Sequence, residues 1–95
     1  MLIASWQVYI IKCKDGLFYT GITSDLNRRI KEHNSGNGCR FTRYRIPVEL
    51  AYSELAANRS GALKREAQIK SFTRKEKLRL IVNFFNQSVT KKGVK

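Results

Sequence analysis

The stretch QVYIIKCKDGLFYTGIT, residues 7–23, constrains the fold more than any other part of this chain. Residues 6–13 and 17–22 are rich in Val, Ile, Phe and Tyr and flank Lys14, Asp15 and Gly16, which is the signal of a β-hairpin. Side chains alternate across a sheet, so the length of the turn decides which residues share a face. A two-residue turn at Asp15 and Gly16 pairs Lys14 with Leu17 and sends Tyr9 and Tyr19 to opposite faces. A three-residue loop with Gly16 in the left-handed conformation pairs Cys13 with Leu17, sets Tyr9 opposite Gly21 and brings both tyrosines to one face.

The rest of the chain supplies cover for such a sheet. TSDLNRRIKEHNSG offers a cap at Thr23 or Ser24, an early Asp25, Leu26 and Ile30 four apart and a stop at Gly36, which predicts a short amphipathic helix. From Asn34 to Pro47 the chain reads as an irregular, basic loop in which Arg40, Arg43 and Arg45 interleave with Phe41 and Tyr44. VELAYSEL then alternates as a third strand. NRSGALKREAQIKSF follows as a second helix with Ala62, Leu63, Glu66 and Ile69 at helical spacing. Thr73 and Glu76 form a capping box ahead of a third helix, whose buried face is read as Leu78, Ile81, Val82 and Phe85. The predicted order is β-β-α-β-α-α, a small single α/β domain with helices packed on a sheet. The domain is expected to span residues 1–86, with 87–95 as a flexible basic tail.

Charge narrows the partners. Nineteen Lys and Arg against seven Asp and Glu leave +12, so an anionic polymer is the natural partner and nucleic acid, most of all DNA, leads the list. Cys13 and Cys39 lie in no CxxC motif and are read as reduced thiols, while a single histidine leaves little material for a zinc site. No basic segment precedes the first apolar residues and no apolar run approaches the ~18 residues of a membrane span, so a cytoplasmic protein without membrane association is expected.

Five polar side chains stand where a purely structural reading prefers something else: Tyr9, Tyr19, Arg29, His33 and Glu66. Each has an ordinary explanation. Tyrosines on strands are usually core rings with a hydroxyl at the rim, Arg29 suits a salt bridge on a helix flank, and His33 suits a helix C-terminus. Arg29 and His33 are four apart and share a helix face beside Leu26 and Ile30. Glu66 interrupts an apolar helix face, and a carboxylate there needs a positive partner. That partner is either Arg29 in a structural ion pair or a hard divalent cation such as Mg²⁺, which would keep mostly water ligands and be recruited together with a phosphate.

Tyr9, the YTG of residues 19–21, the Arg29 that follows eight residues after Gly21, and the ALKRE that contains Glu66 together resemble the GIY-YIG nuclease domain. The resemblance runs over roughly residues 6–72, with residues 7–9 at the first triplet and residues 19–21 at the second. YTGITSDLNRRIKEHNSG is especially similar to the small stand-alone bacterial members and to the junction-cutting, structure-specific nucleases. The first triplet here lacks Gly, and Ile22 stands where many relatives carry Lys. The resemblance implies a three-stranded antiparallel sheet flanked by helices and the hydrolysis of phosphodiester bonds. It also implies roles: Tyr19 or Tyr9 assisting deprotonation of a water, Arg29 stabilising the phosphate, His33 supporting the site and Glu66 binding one Mg²⁺ or Mn²⁺.

A metal-dependent DNA endonuclease is therefore the expectation, with Gly21 and the loop arginines Arg40, Arg43 and Arg45 positioning the substrate. A nucleic-acid-binding module with little or no turnover on the same fold is the alternative, since the +12 surface suffices for non-specific binding. A shared tyrosine site demands the odd, three-residue loop. It also demands both hydroxyls on the face covered by the Arg29 helix, open space at Gly21 and Glu66 reaching the same cleft.

Overall fold

The computed structural model describes the backbone of residues 5–93 and side chains as far as residue 87. Strands β1 (Trp6–Lys12) and β2 (Phe18–Thr23) are followed by helices α1 (Leu26–Asn34) and α2 (Arg40–Arg43), strand β3 (Glu49–Ala56), and helices α3 (Arg59–Lys70) and α4 (Arg74–Gly93). β1 is the middle strand of a sheet ordered β2-β1-β3 and is antiparallel to both neighbours. This is the expected α/β architecture with one addition. The basic segment read as irregular contains the four-residue α2, too short to show a helical period in the sequence.

The hairpin resolves the parity question. Gly16 N donates to Cys13 O at 2.9 Å and Cys13 N to Leu17 O at 2.8 Å, closing a loop of Lys14, Asp15 and Gly16. Gly16 sits at φ 87°, the left-handed region that glycine enters without a side-chain clash. Tyr9 consequently pairs with Gly21 and Ile11 with Tyr19, so the two tyrosines lie on one face.

That face of β1 carries Tyr9 and Ile11, which with Cys13 just past the strand pack with Val48, with Leu26 and Ile30 of α1, and with Phe41 of α2. Val8 and Ile10 point the other way, into a second cluster with Ala62 and Ile69 of α3 and Leu80 and Ile81 of α4. The central strand is thus buried on both sides, which explains its nearly continuous apolar run. Capping agrees with the sequence reading at α4 and departs from it at α1. Asp25, rather than Thr23 or Ser24, caps α1 by accepting from Arg28 N at 3.1 Å. Asn58 caps α3 through Gly61 N, and Thr73 and Glu76 exchange the two bonds of the capping box at 2.8 and 3.2 Å.

Two expected faces are corrected. Leu78, Val82 and Phe85 of α4 are 39%, 52% and 64% exposed, and the helix turns Leu80, Ile81 and Phe84 inward, Phe84 meeting the Tyr52 ring at 5.4 Å. In α3, Ala62 and Ile69 are buried while Leu63 is exposed. α4 runs to Gly93, within the segment read as the tail, and residues 94 and 95 lie outside the described residues. Among the described residues no helix is long and apolar enough to cross a membrane. Both cysteines are free.

Candidate active site

The tyrosine face of the sheet gathers side chains from β1, β2, α1 and α2. Tyr9 stands at the centre of β1, 1% exposed, with its hydroxyl 2.9 Å from His33 Nε2 and within 3.4 Å of Arg29 Nε, which donates to it. Arg29 and His33 lie one turn apart on α1, and Leu26 and Ile30 hold that helix against the sheet. Two further Arg29 donors are committed, one on Nη1 to Glu32 Oε1 at 3.0 Å and one on Nη2 to the Gly38 carbonyl at 3.0 Å, so three of its five N–H groups are used. His33 is fully buried and its Nδ1 lies 2.8 Å from Thr42 Oγ1 of α2. Tyr19 is half-buried, its ring 6.4 Å from Tyr9, edge-on to His33 at 5.4 Å and stacked on Phe41 at 5.8 Å.

Gly21 does something other than leave open space. A Cβ there would lie 2.7 Å from the Tyr9 hydroxyl and 3.1 Å from Tyr19 Cε2, so the room above this glycine is filled by the end of the Tyr9 side chain. Gly38 has the same function toward His33, because a Cβ at 38 would fall 2.2 Å from Nδ1.

Burial sets the protonation states. It lowers His33 to about 4, with the Arg29 charge acting in the same direction, so the imidazole is neutral at pH 7. Burial also pushes both phenols up, while Arg29 pulls each of them down. Tyr19 is raised further by the Cys39 thiol beside it. Burial alone would raise Cys39, but hydrogen bonds from Thr42, Tyr19 and the Phe41 backbone outweigh it and hold that thiol below its ordinary value.

Glu66 approaches from the other layer, since α3 packs on the Val8 and Ile10 face. Its negative charge reaches the Tyr9 phenol and acts to raise it. The Arg29 ion pair offered as one reading of the sequence does not form. Lys70 Nζ lies 3.3 Å from Glu66 Oε2, and Arg29 pairs with Glu32 instead. The two pairs sit at i,i+4 and i,i+3 helical spacing, a signal present in the sequence and overlooked. Among the described residues no three His, Cys, Asp or Glu side chains converge on one point.

The loop arginines divide. Arg40 and Arg43 are exposed, and Arg43 lies 6.0 Å from the ring centre of the exposed Tyr44. Arg45 instead clamps the hairpin: it bonds Asp15 Oδ2 at 3.0 Å and the Phe41 carbonyl at 2.6 Å, and stacks over the Phe41 ring at 4.3 Å. Ile22 lies on the α3 face among the apolar residues there, so no cation reaches the tyrosines from position 22. Thr42, Cys39, Gly38 and Glu32 escaped sequence reasoning. Gly38 lies in SGNG and Thr42 in RFTR, and only the path of residues 35–42 past His33 gives them a role.

The GIY-YIG catalytic domain family matches residues 5–79. A UPF0213 protein of Staphylococcus aureus is 53% identical over 74 residues, spanning 78% of this chain and 90% of the relative. The solution NMR structure of the protein EF2693 from E. faecalis is 41% identical and superposes with a TM-score of 0.58 over 85% of this chain and 86% of that one. The solution NMR structure of the UPF0213 protein BH0048 from Bacillus halodurans is 40% identical, with a TM-score of 0.53 over 82% and 83% of the two chains.

Proposed function

The chain belongs to the GIY-YIG catalytic-domain family, and from that membership and the cluster around Tyr9 we propose that it is a divalent-metal-dependent endonuclease hydrolysing phosphodiester bonds of DNA. One observation carries the reading: an imidazole and a guanidinium are both hydrogen-bonded to the Tyr9 phenol on a sheet face that also presents Tyr19. A fold that needed only a core would use Phe at position 9 and avoid the cost of burying the Tyr9 hydroxyl and the His33 imidazole.

The two tyrosines divide the work. Tyr9 is buried with its hydroxyl committed to His33 and Arg29, so it shapes the site, while the more exposed Tyr19 meets the attacking water and draws its proton. A phenol is a poor base at neutral pH, and the charge of Arg29 acts on both phenols in the helpful direction. The same guanidinium, 27% exposed, faces the phosphate and stabilises it. Exposed Arg40 and Arg43 hold the neighbouring backbone charges, and the net charge of +12 draws in the polymer.

Glu66 is the residue that would hold one Mg²⁺ or Mn²⁺. A single carboxylate suits a hard cation that keeps most of its water and takes further oxygen ligands from the phosphate. When bound, the ion supplies positive charge for the phosphoryl oxygens and the leaving group.

Binding without turnover is the competing reading, and what favours it is Lys70, a cation already paired with Glu66. Incubating the purified protein with supercoiled plasmid and with a branched oligonucleotide, in Mg²⁺ or Mn²⁺ against EDTA, separates the two. Metal-dependent nicking supports the nuclease. Retarded but uncut DNA under every metal condition overturns it.

A further inference from the structure

The polar chain that begins at Tyr9 continues beyond His33, and its hydrogens follow from one fixed point. Arg29 Nε can only donate, so across the 3.4 Å contact Tyr9 accepts. The phenolic hydrogen is then directed at His33 Nε2, 2.9 Å away, which makes that nitrogen an acceptor. A neutral imidazole accepting at Nε2 carries its hydrogen on Nδ1, and Thr42 Oγ1 lies 2.8 Å from that atom. Thr42 has its own hydrogen to direct at Cys39, whose carbonyl lies 3.4 Å and whose Sγ lies 3.5 Å away, and with either acceptor its oxygen is free to accept from Nδ1. The opposite tautomer would aim N–H groups of both His33 and Arg29 at one phenolic oxygen. It would leave the Tyr9 hydrogen without an acceptor in a place that water does not reach.

Thr42 is fully buried, and filling space there would be served by Val, which has the same shape without a hydroxyl to satisfy. Gly38 gives the arrangement its clearance. Its backbone passes so close to His33 that a Cβ would lie 2.2 Å from Nδ1 and 2.7 Å from Cα, and its carbonyl accepts from Arg29 at 3.0 Å. The segment 38–42 therefore supports both residues that hold the Tyr9 hydroxyl.

We infer that Thr42 is a positioning residue, which accepts from His33 Nδ1 and so holds the imidazole in the tautomer whose Nε2 receives the Tyr9 hydrogen bond. Its consequence for cleavage rests on the nuclease reading, whereas the tautomer does not. The chain has one histidine, so a long-range ¹H–¹⁵N spectrum of labelled protein near neutral pH contains a single imidazole pattern.

The parent protein and Thr42→Ser should both show hydrogen on Nδ1, and Thr42→Val should move the population toward the Nε2–H form. Plasmid cleavage should fall roughly 10–100-fold in Thr42→Val, the range found when outer partners of metal-bound histidines are removed, and Thr42→Ser should restore most of it. A parent spectrum in the Nε2–H form, or an unchanged pattern in Thr42→Val, overturns the inference. Parental cleavage rates in a Thr42→Val protein whose tautomer has moved overturn the positioning role. A parent that shows the Nδ1–H pattern but never cuts DNA overturns the nuclease reading alone. The parent spectrum decides the tautomer even if Thr42→Val does not fold.

Discussion

Gly21→Ala tests how the tyrosine face is assembled. The new methyl carbon would lie 2.7 Å from the Tyr9 hydroxyl, and restoring an ordinary 3.4 Å contact displaces that oxygen by about 0.7 Å. The useful range of an N···O hydrogen-bond length is only about 0.5 Å wide. The 2.9 Å bond to His33 and the longer one to Arg29 therefore cannot both survive the shift. Overpacking costs about 1–3 kcal/mol. Replacing a glycine within a strand returns about 0.5–1 kcal/mol. The net expectation is a loss of roughly 0–2.5 kcal/mol, read as a lower urea midpoint. Cleavage should suffer far more, on the order of 100-fold, because misplacement approaching 1 Å at a reacting centre has that effect. A double-mutant cycle sharpens the test. In a Tyr9→Ala background the hydroxyl is gone, so the cost of Gly21→Ala should shrink and the two changes should be non-additive by about 0.5–3 kcal/mol. Strict additivity, or a Gly21→Ala protein that cuts and unfolds like its parent, would refute the role of this glycine in seating Tyr9.

Three further outcomes are expected. His33 sits at about 4 in the folded chain against 6.5 unfolded, so between those values the unfolded state binds the extra proton. The stability from keeping the ring neutral is then complete above pH 6.5 and is lost as pH falls toward 4, up to about 3 kcal/mol; urea midpoints against pH should flatten in His33→Gln, and identical profiles would contradict the assignment. Replacing Arg40 and Arg43 by Ala should reduce the log–log salt slope of DNA affinity, by up to about 0.9 for each phosphate that is no longer neutralised, whereas Arg45→Ala should lower thermal stability and leave that slope unchanged. Glu66→Gln should abolish metal-dependent cleavage while DNA retardation persists, and Lys70→Ala should leave cleavage in place; a Glu66→Gln protein that still cuts would remove the metal role.

The strand pattern and the KDG loop narrowed the hairpin to two registers, and the demand that both tyrosines share a site selected the one that forms, because side-chain parity is a property of local geometry and one glycine at positive φ decides it. The capping box of Thr73 and Glu76 and the shared face of Arg29 and His33 were legible for the same reason, since each depends on residues three or four apart. Contacts between distant segments were not. Thr42 meets His33 only because residues 35–41 fold back across Gly38, and nothing in RFTR announces a buried hydroxyl. Helix α4 shows the limit most plainly. Its sequence offers one apolar stripe through Leu78, Ile81, Val82 and Phe85 and another through Leu80, Ile81 and Phe84, which share Ile81, and periodicity ranks neither. Docking against β3 and the Tyr52 ring selected the second, because the rotation of a helix about its axis is set by the surface it packs on, and that surface exists only once the sheet has formed.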